Sequence, residues 1–282
     1  MATFSERYNH TESRTVVQRE SLDELTRIAL WNLFYEFNEK LPHFYPASAY
    51  PQRDLARLIW ADYLEKPLDE YSTIAETWRF AKHRVLKSEW YEACNFMEFL
   101  LAANKMKPLQ VELARTLNLE LEAKLTGYRL IDRKVVPVDS EAESAAISEA
   151  LDDATSEPLS GVRHHLITAI NKLADRAKPD YPNSVKESIS AVEAMLELIT
   201  KESVLSKALP KLTTSGVTLH PAQLAAWKSL YGWTSDEDGV RHSAKAPPNV
   251  DQATAKYMLA TCSAFVSWLI EAARKANVPG LT

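Results

Sequence analysis

Apolar side chains recur at helical spacing along almost the whole of this chain, and that periodicity confines it to packed helices. Glycine is scarce, at 6 of 282 residues, which argues the same way against a sheet architecture. One stretch reads differently. From Tyr128 to Val138 two short β-branched runs flank the polar Asp132-Arg133-Lys134, the pattern of a small hairpin. The expected fold class is all-α, built mainly of helical bundles, with one small β-hairpin between the two halves.

Start and stop signals divide the helical pattern. Ser21-x-x-Glu24 reads as a capping box ahead of Leu22, Leu25 and Ile28, and Asp54 to Leu64 as an amphipathic helix ended near Pro67. Thr73 to Asn104 supports two helices, the second placing Trp90, Tyr91, Phe96 and Phe99 in a core. Leu109 to Leu125 is a further helix, with Gly127 as its stop. Ser140-x-x-Glu143 opens a helix through about Leu151, and the Ser, Thr, Pro and Gly residues of 152–161 mark a boundary. The length implies two domains, 1–155 and 156–282. In the second, Val162, Leu166, Ala169, Ile170 and Leu173 form one stripe and Ser184-x-x-Glu187 opens a long helix carrying Val185, Ile189, Val192, Leu196 and Ile199. Pro221 and Gly232 bracket a short helix, and Asn249-x-x-Gln252 caps the last, whose apolar residues cover more than one face.

A net charge of −5 and a pI near 5.9 exclude a protein that coats nucleic acid or a membrane by bulk charge, so an anionic ligand must meet a local basic site. Cys94 and Cys262 lie far apart in apolar helical runs and read as buried thiols rather than a disulfide or metal site. With no apolar signal core at the N-terminus, and no run of about 18 uncharged apolar residues, the expected location is the cytoplasm, with no membrane partner. His164-His165 point about 100° apart on a helix and have no carboxylate or cysteine at ligand spacing, so they read as a solvated helix start.

Chemistry concentrates between two helices near the C-terminus. Asp236 to Lys245 gathers three carboxylates with Gly239, Arg241, His242 and Lys245, combining an anion-binding guanidinium with a group that moves protons near neutral pH. A structural account stands beside this one: Arg241 braced by Asp236, Glu237 or Asp238, with His242 on the surface. Glu193, at the edge of its helix's apolar stripe, can brace an arginine or orient a histidine, whereas Glu187 is accounted for by the cap.

Two sets of residues carry a resemblance. Asp180 to Glu193, Leu219-His-Pro-Ala222, Leu230-Tyr-Gly232 and Asp238-Gly-Val-Arg-His242 make the second half resemble the HEPN superfamily in its AbiJ-like, abortive-infection branch. Phe4-Ser-Glu-Arg-Tyr8, Leu30-Trp-Asn32 and the hairpin make the first half similar to the helical N-terminal domain that accompanies those modules. The resemblance implies a homodimer through the C-terminal domain and, in active members, metal-independent cleavage of RNA at a composite interface site, with no cofactor. It assigns Arg241 to the scissile phosphate, His242 to general base or acid, Glu193 to orienting one of them, and Arg163 and Lys245 to further phosphate contacts. Active members usually carry Arg and His several residues apart, whereas Arg241 and His242 are adjacent. The pair therefore relies on loop geometry or the partner subunit to converge on one phosphate. The alternatives are a non-catalytic module that binds RNA, a nucleotide or a partner protein as sensor or regulator, and a purely structural interaction protein.

Overall fold

The computed structural model describes residues 17–44, 50–103, 107–175, 178–236 and 250–281. Its contacts divide the chain into two compact units, 1–135 and 136–282, so residues 136–155 count with the second unit. All-α is the architecture found: among the described residues eleven α-helices accompany one two-stranded sheet.

The first unit comprises α1 (Glu24–Lys40), α2 (Pro51–Leu58, continued by a π-helical turn Ile59–Tyr63), α3 (Ile74–Lys87), α4 (Tyr91–Ala103), α5 (Lys107–Ala123), β1 (Arg129–Ile131) and β2 (Lys134–Val136). Its core is aromatic and centred on Phe96, which is fully buried. Ring centroids of Tyr63, Phe34, Trp78 and Trp31 lie 4.7, 5.1, 6.0 and 6.1 Å from that of Phe96. Of the aromatics expected inside this region, Phe96 fits fully, whereas Tyr91 is 40% exposed. Arg84 of α3 locks the π turn to α4: its Nε donates to Glu92 at 2.9 Å and Nη1 to the Tyr63 carbonyl at 2.6 Å. Burial, then the Glu92 carboxylate, pushes the Tyr63 phenol far above its ordinary pKa against the opposing pull of Arg84.

The cap on α1 is Asp23, whose carboxylate accepts from the Thr26 N–H at 2.8 Å; Ser21 instead donates to the Arg19 carbonyl. The end of α5 also differs from expectation. Leu125, with φ 50°, takes the left-handed position, and Gly127 pairs with the chain's early residues. Gln18 N–H donates to the Leu125 carbonyl and its carbonyl accepts from Gly127 N–H, both at 2.8 Å, while Nε2 donates to the Lys124 carbonyl. A Cβ on residue 127 would stand 3.0 Å from Arg19 Cγ, so glycine permits this approach. The hairpin turns through Asp132 and Arg133, both left-handed (φ 46° and 66°) as a two-residue turn of this hand requires. Asn118 seals one strand, accepting from Leu130 N–H at 2.7 Å and donating to its carbonyl at 2.9 Å; Glu98 accepts from Val135 N–H at 2.8 Å on the other.

The second unit comprises α6 (Glu141–Asp153), α7 (Ser160–Ala174), α8 (Tyr181–Thr200), α9 (Leu205–Lys211), α10 (Pro221–Asp236) and α11 (Gln252–Lys275). α8 packs against α7 and α11, and α6 packs against α11 and touches α7. The stripes read from sequence on α7 and α8 are buried throughout. Ser140 caps α6 as expected, accepting from Glu143 N–H. The other two boxes of this half are displaced. Asp180 caps α8, with Pro182 in its first turn, and Asp251, not Asn249, caps α11 by accepting from Thr254 N–H at 2.8 Å. Gly232 does not end α10, which runs through it to Asp236. Lys256 ties α11 to the start of α6, 2.6 Å from Asp139 and 3.3 Å from Glu143. By length and composition α11 is apolar enough to cross a membrane, and the bundle accounts for that composition: Met258, Leu259, Cys262, Val266 and Leu269 are fully buried.

Candidate functional site in the C-terminal helical unit

The α7–α8 hairpin closes tightly because its crossing residues are small. Ser184, fully buried, donates to the Ala169 carbonyl at 2.9 Å, and Ser188 turns inward to donate to the Ser184 carbonyl. This close approach brings together two side chains from opposite helices, His165 and Glu187, with Nδ1 and Oε2 2.7 Å apart. The histidine is 34% and the carboxylate 20% exposed. Glu187 therefore does not complete a capping box, as the sequence reading holds; it anchors an imidazole. A carboxylate on Nδ1 fixes the ring and leaves Nε2 as the group available to a ligand. Sequence reasoning missed this pair because residues 22 positions apart meet only through packing. The usable signal was positional: 165 lies one turn from 162 and 169, both on the buried stripe.

Of the residues expected to form the site, Arg163 and Glu193 are described. Arg163, half-buried on α7, donates from Nη1 to the Leu151 carbonyl in the last turn of α6, so it braces the helix corner across 152–161. Glu193, half-buried on α8, comes six residues after Glu187, about 9 Å further along the axis. Arg241, His242 and Lys245 lie outside the described residues, in the segment that leaves α10 and enters α11. Among the described residues no group of His, Cys, Asp and Glu is arranged to hold a metal ion.

The helices flanking that segment carry an aromatic stack. Trp227 of α10 lies on Phe265 of α11 with centroids 3.9 Å apart and planes 18° from parallel, and Phe265 stacks in turn on Trp268 at 5.8 Å. Trp268 is 37% and Tyr257 55% exposed. Eleven residues, about three turns, separate the two, so they share one face of α11. That face is partly apolar and open to solvent.

Residues 2–153 match the model of a family described as AbiJ N-terminal domain 4, a span that takes in the first unit and α6 and stops before α7. No curated protein and no solved structure gives a match.

Proposed function

The chain belongs to the AbiJ N-terminal domain 4 family and is thereby an abortive-infection-related protein; from that premise we propose that its second unit is a HEPN-type bundle that dimerises and cleaves RNA in the cytoplasm without a metal. The observation that carries the reading is the family match ending at residue 153, with a helical bundle after it whose longest helix leaves Tyr257 and Trp268 in solvent. In this reading the exposed face of α11 meets its copy on a second subunit, burying aromatic area as homodimer interfaces do. The dimer draws the two segments that carry Arg241 and His242 toward one RNA strand.

The chemistry asks for few groups. A base removes the proton of a ribose 2′-hydroxyl, the oxygen attacks the adjacent phosphorus, and an acid protonates the departing oxygen, leaving a cyclic phosphate. His242 serves the proton transfers, Glu193 orients it, and Arg241 neutralises charge growing on the phosphoryl oxygens. Lys245 holds a flanking phosphate, while Arg163 stays on the Leu151 carbonyl as a brace of the bundle.

The test is incubation of purified full-length protein with mixed RNA in EDTA, beside Arg241→Ala and His242→Ala, with light scattering on each sample. Cyclic-phosphate ends lost in both variants, with the dimer retained, support the nuclease. An intact wild-type dimer as inert as its variants overturns it. In that outcome the same bundle is a non-catalytic sensor or regulator that binds RNA, a nucleotide or a partner protein.

A further inference from the structure

The first unit holds a cleft of about 790 Å³ walled by α1, α2 and α3, a size typical of ligand sites. Its inner wall is aromatic. Trp31 and Trp78, each 5% exposed, meet edge to face at 5.6 Å, and the half-exposed Tyr35 ring stands edge-on to Trp78 at 6.3 Å. Two buried polar atoms on the lining side chains have no hydrogen-bond partner among the described residues: the Trp78 indole Nε1–H and the Asn38 amide oxygen. Asn38 is only 3% exposed, and Gln52 holds its backbone carbonyl at 3.0 Å without touching that oxygen. Orphaned buried groups are costly and uncommon, and a donor and an acceptor gathered in one cleft imply a molecule that supplies both partners.

Charge is sorted by wall. Glu36 and Glu39 stand on α1, Arg79 and Lys82 on α3. Arg79 makes an exposed pair with Glu76 at 3.4 Å and lies over the Phe80 ring at 5.2 Å, and Lys82 has no ion-pair partner among the described residues. Aromatic faces, a free donor with a free acceptor, carboxylates and cations together select among ligand classes. An apolar ligand would leave both orphans unpaired. A small aliphatic zwitterionic peptide would use the charges and waste the rings. A mononucleotide uses all four.

We propose that this cleft binds a mononucleotide. The base lies against Tyr35 and the tryptophans with its polar edge on Trp78 Nε1–H and Asn38 Oδ1. Ribose hydroxyls donate to Glu36 and Glu39, and the phosphate meets Lys82 and Arg79. Both orphaned atoms are shut from solvent, so the base reaches them only as the side chains that cover them shift. The site does not depend on RNA cleavage by the second unit, and its test is independent of that activity.

Full-length protein is titrated with AMP, GMP, CMP and UMP, and with the dipeptide Ala-Ala as the zwitterion, monitoring tryptophan fluorescence and Tm. At least one nucleotide saturates below about 1 mM and raises Tm, while the dipeptide does neither. Lys82→Glu, a change at an exposed position, weakens that nucleotide at least about tenfold. Asn38→Leu weakens it to a similar degree, yet the unliganded variant melts no lower than wild type because it has lost an orphaned polar group. The proposal is overturned if no nucleotide saturates by about 1 mM, if the dipeptide binds instead, or if the affinity is equal in wild type and both variants.

Discussion

Phe96→Ala removes the ring on which the first unit's core is centred. Phe96 has no exposed surface and meets five rings with centroids at or within 6.3 Å. Truncating a buried phenylalanine costs about 3–5 kcal/mol. Aromatic pairs add about 0.5–1.5 kcal/mol each beyond area, but here they share one ring and do not sum. The expected loss is therefore near the top of the range, about 4–5 kcal/mol, or about 15 °C in the melting of a unit this size. Phe96→Leu keeps most of the volume and should lose about a third as much. Calorimetry of full-length protein, with near-ultraviolet circular dichroism reporting the aromatic core, measures both. A loss below about 1.5 kcal/mol for Phe96→Ala, or one no larger than that of the half-buried Phe99→Ala, would refute a core organised around this ring. Because Trp31 and Trp78 rest on Phe96, the variant should also weaken binding in the α1–α3 cleft without altering any group that faces it.

Two further outcomes are expected. Lys256→Met, which strands Asp139 and Glu143 beside each other at sites 17% and 28% exposed, should cost about 1–3 kcal/mol, and adding Asp139→Asn should recover part of it; urea denaturation of the double-mutant cycle checks this, and a single-variant loss under about 0.3 kcal/mol contradicts it. Burial opposes the Asp180 charge, but hydrogen bonds from Asn183 and Lys172 outweigh it and hold its pKa below the ordinary value; its capping contribution, about 1 kcal/mol, is then present above the unfolded pKa of about 3.9 and lost as pH falls through the folded value, so the Tm difference between wild type and Asp180→Ala should shrink in acid, and a gap unchanged there contradicts the assignment.

Periodicity carried most of the fold, since stripes such as Val162, Leu166, Ala169, Ile170 and Leu173 specify a buried face whatever packs on it. Helix starts were less legible. Serine or asparagine with Glu or Gln three residues later occurs at Ser21, Ser184 and Asn249, yet in each case an aspartate two to four residues away takes the cap, because a carboxylate accepts a backbone N–H more strongly than a neutral oxygen. Ser140, with only Asp139 immediately before it and that carboxylate engaged by Lys256, keeps its cap. Gly232 shows the converse: a glycine with open space around it is tolerated inside a helix and stops nothing. The α1–α3 cleft and the His165–Glu187 contact were illegible for a common reason. Both are made by residues of different helices, and one-dimensional spacing records only the face a residue lies on. For Arg241, His242 and Lys245 the sequence supplies the chemistry, and their geometry lies outside the described residues.

The clasp at Gln18 makes the first unit portable. Gln18 and the end of α5 meet in one hydrogen-bonded junction, Gln18 against Leu125 and Gly127. A unit closed in this way can be circularly permuted with a short linker, because the linker need not span its width. Such a permutant would keep the aromatic core and its cleft unchanged.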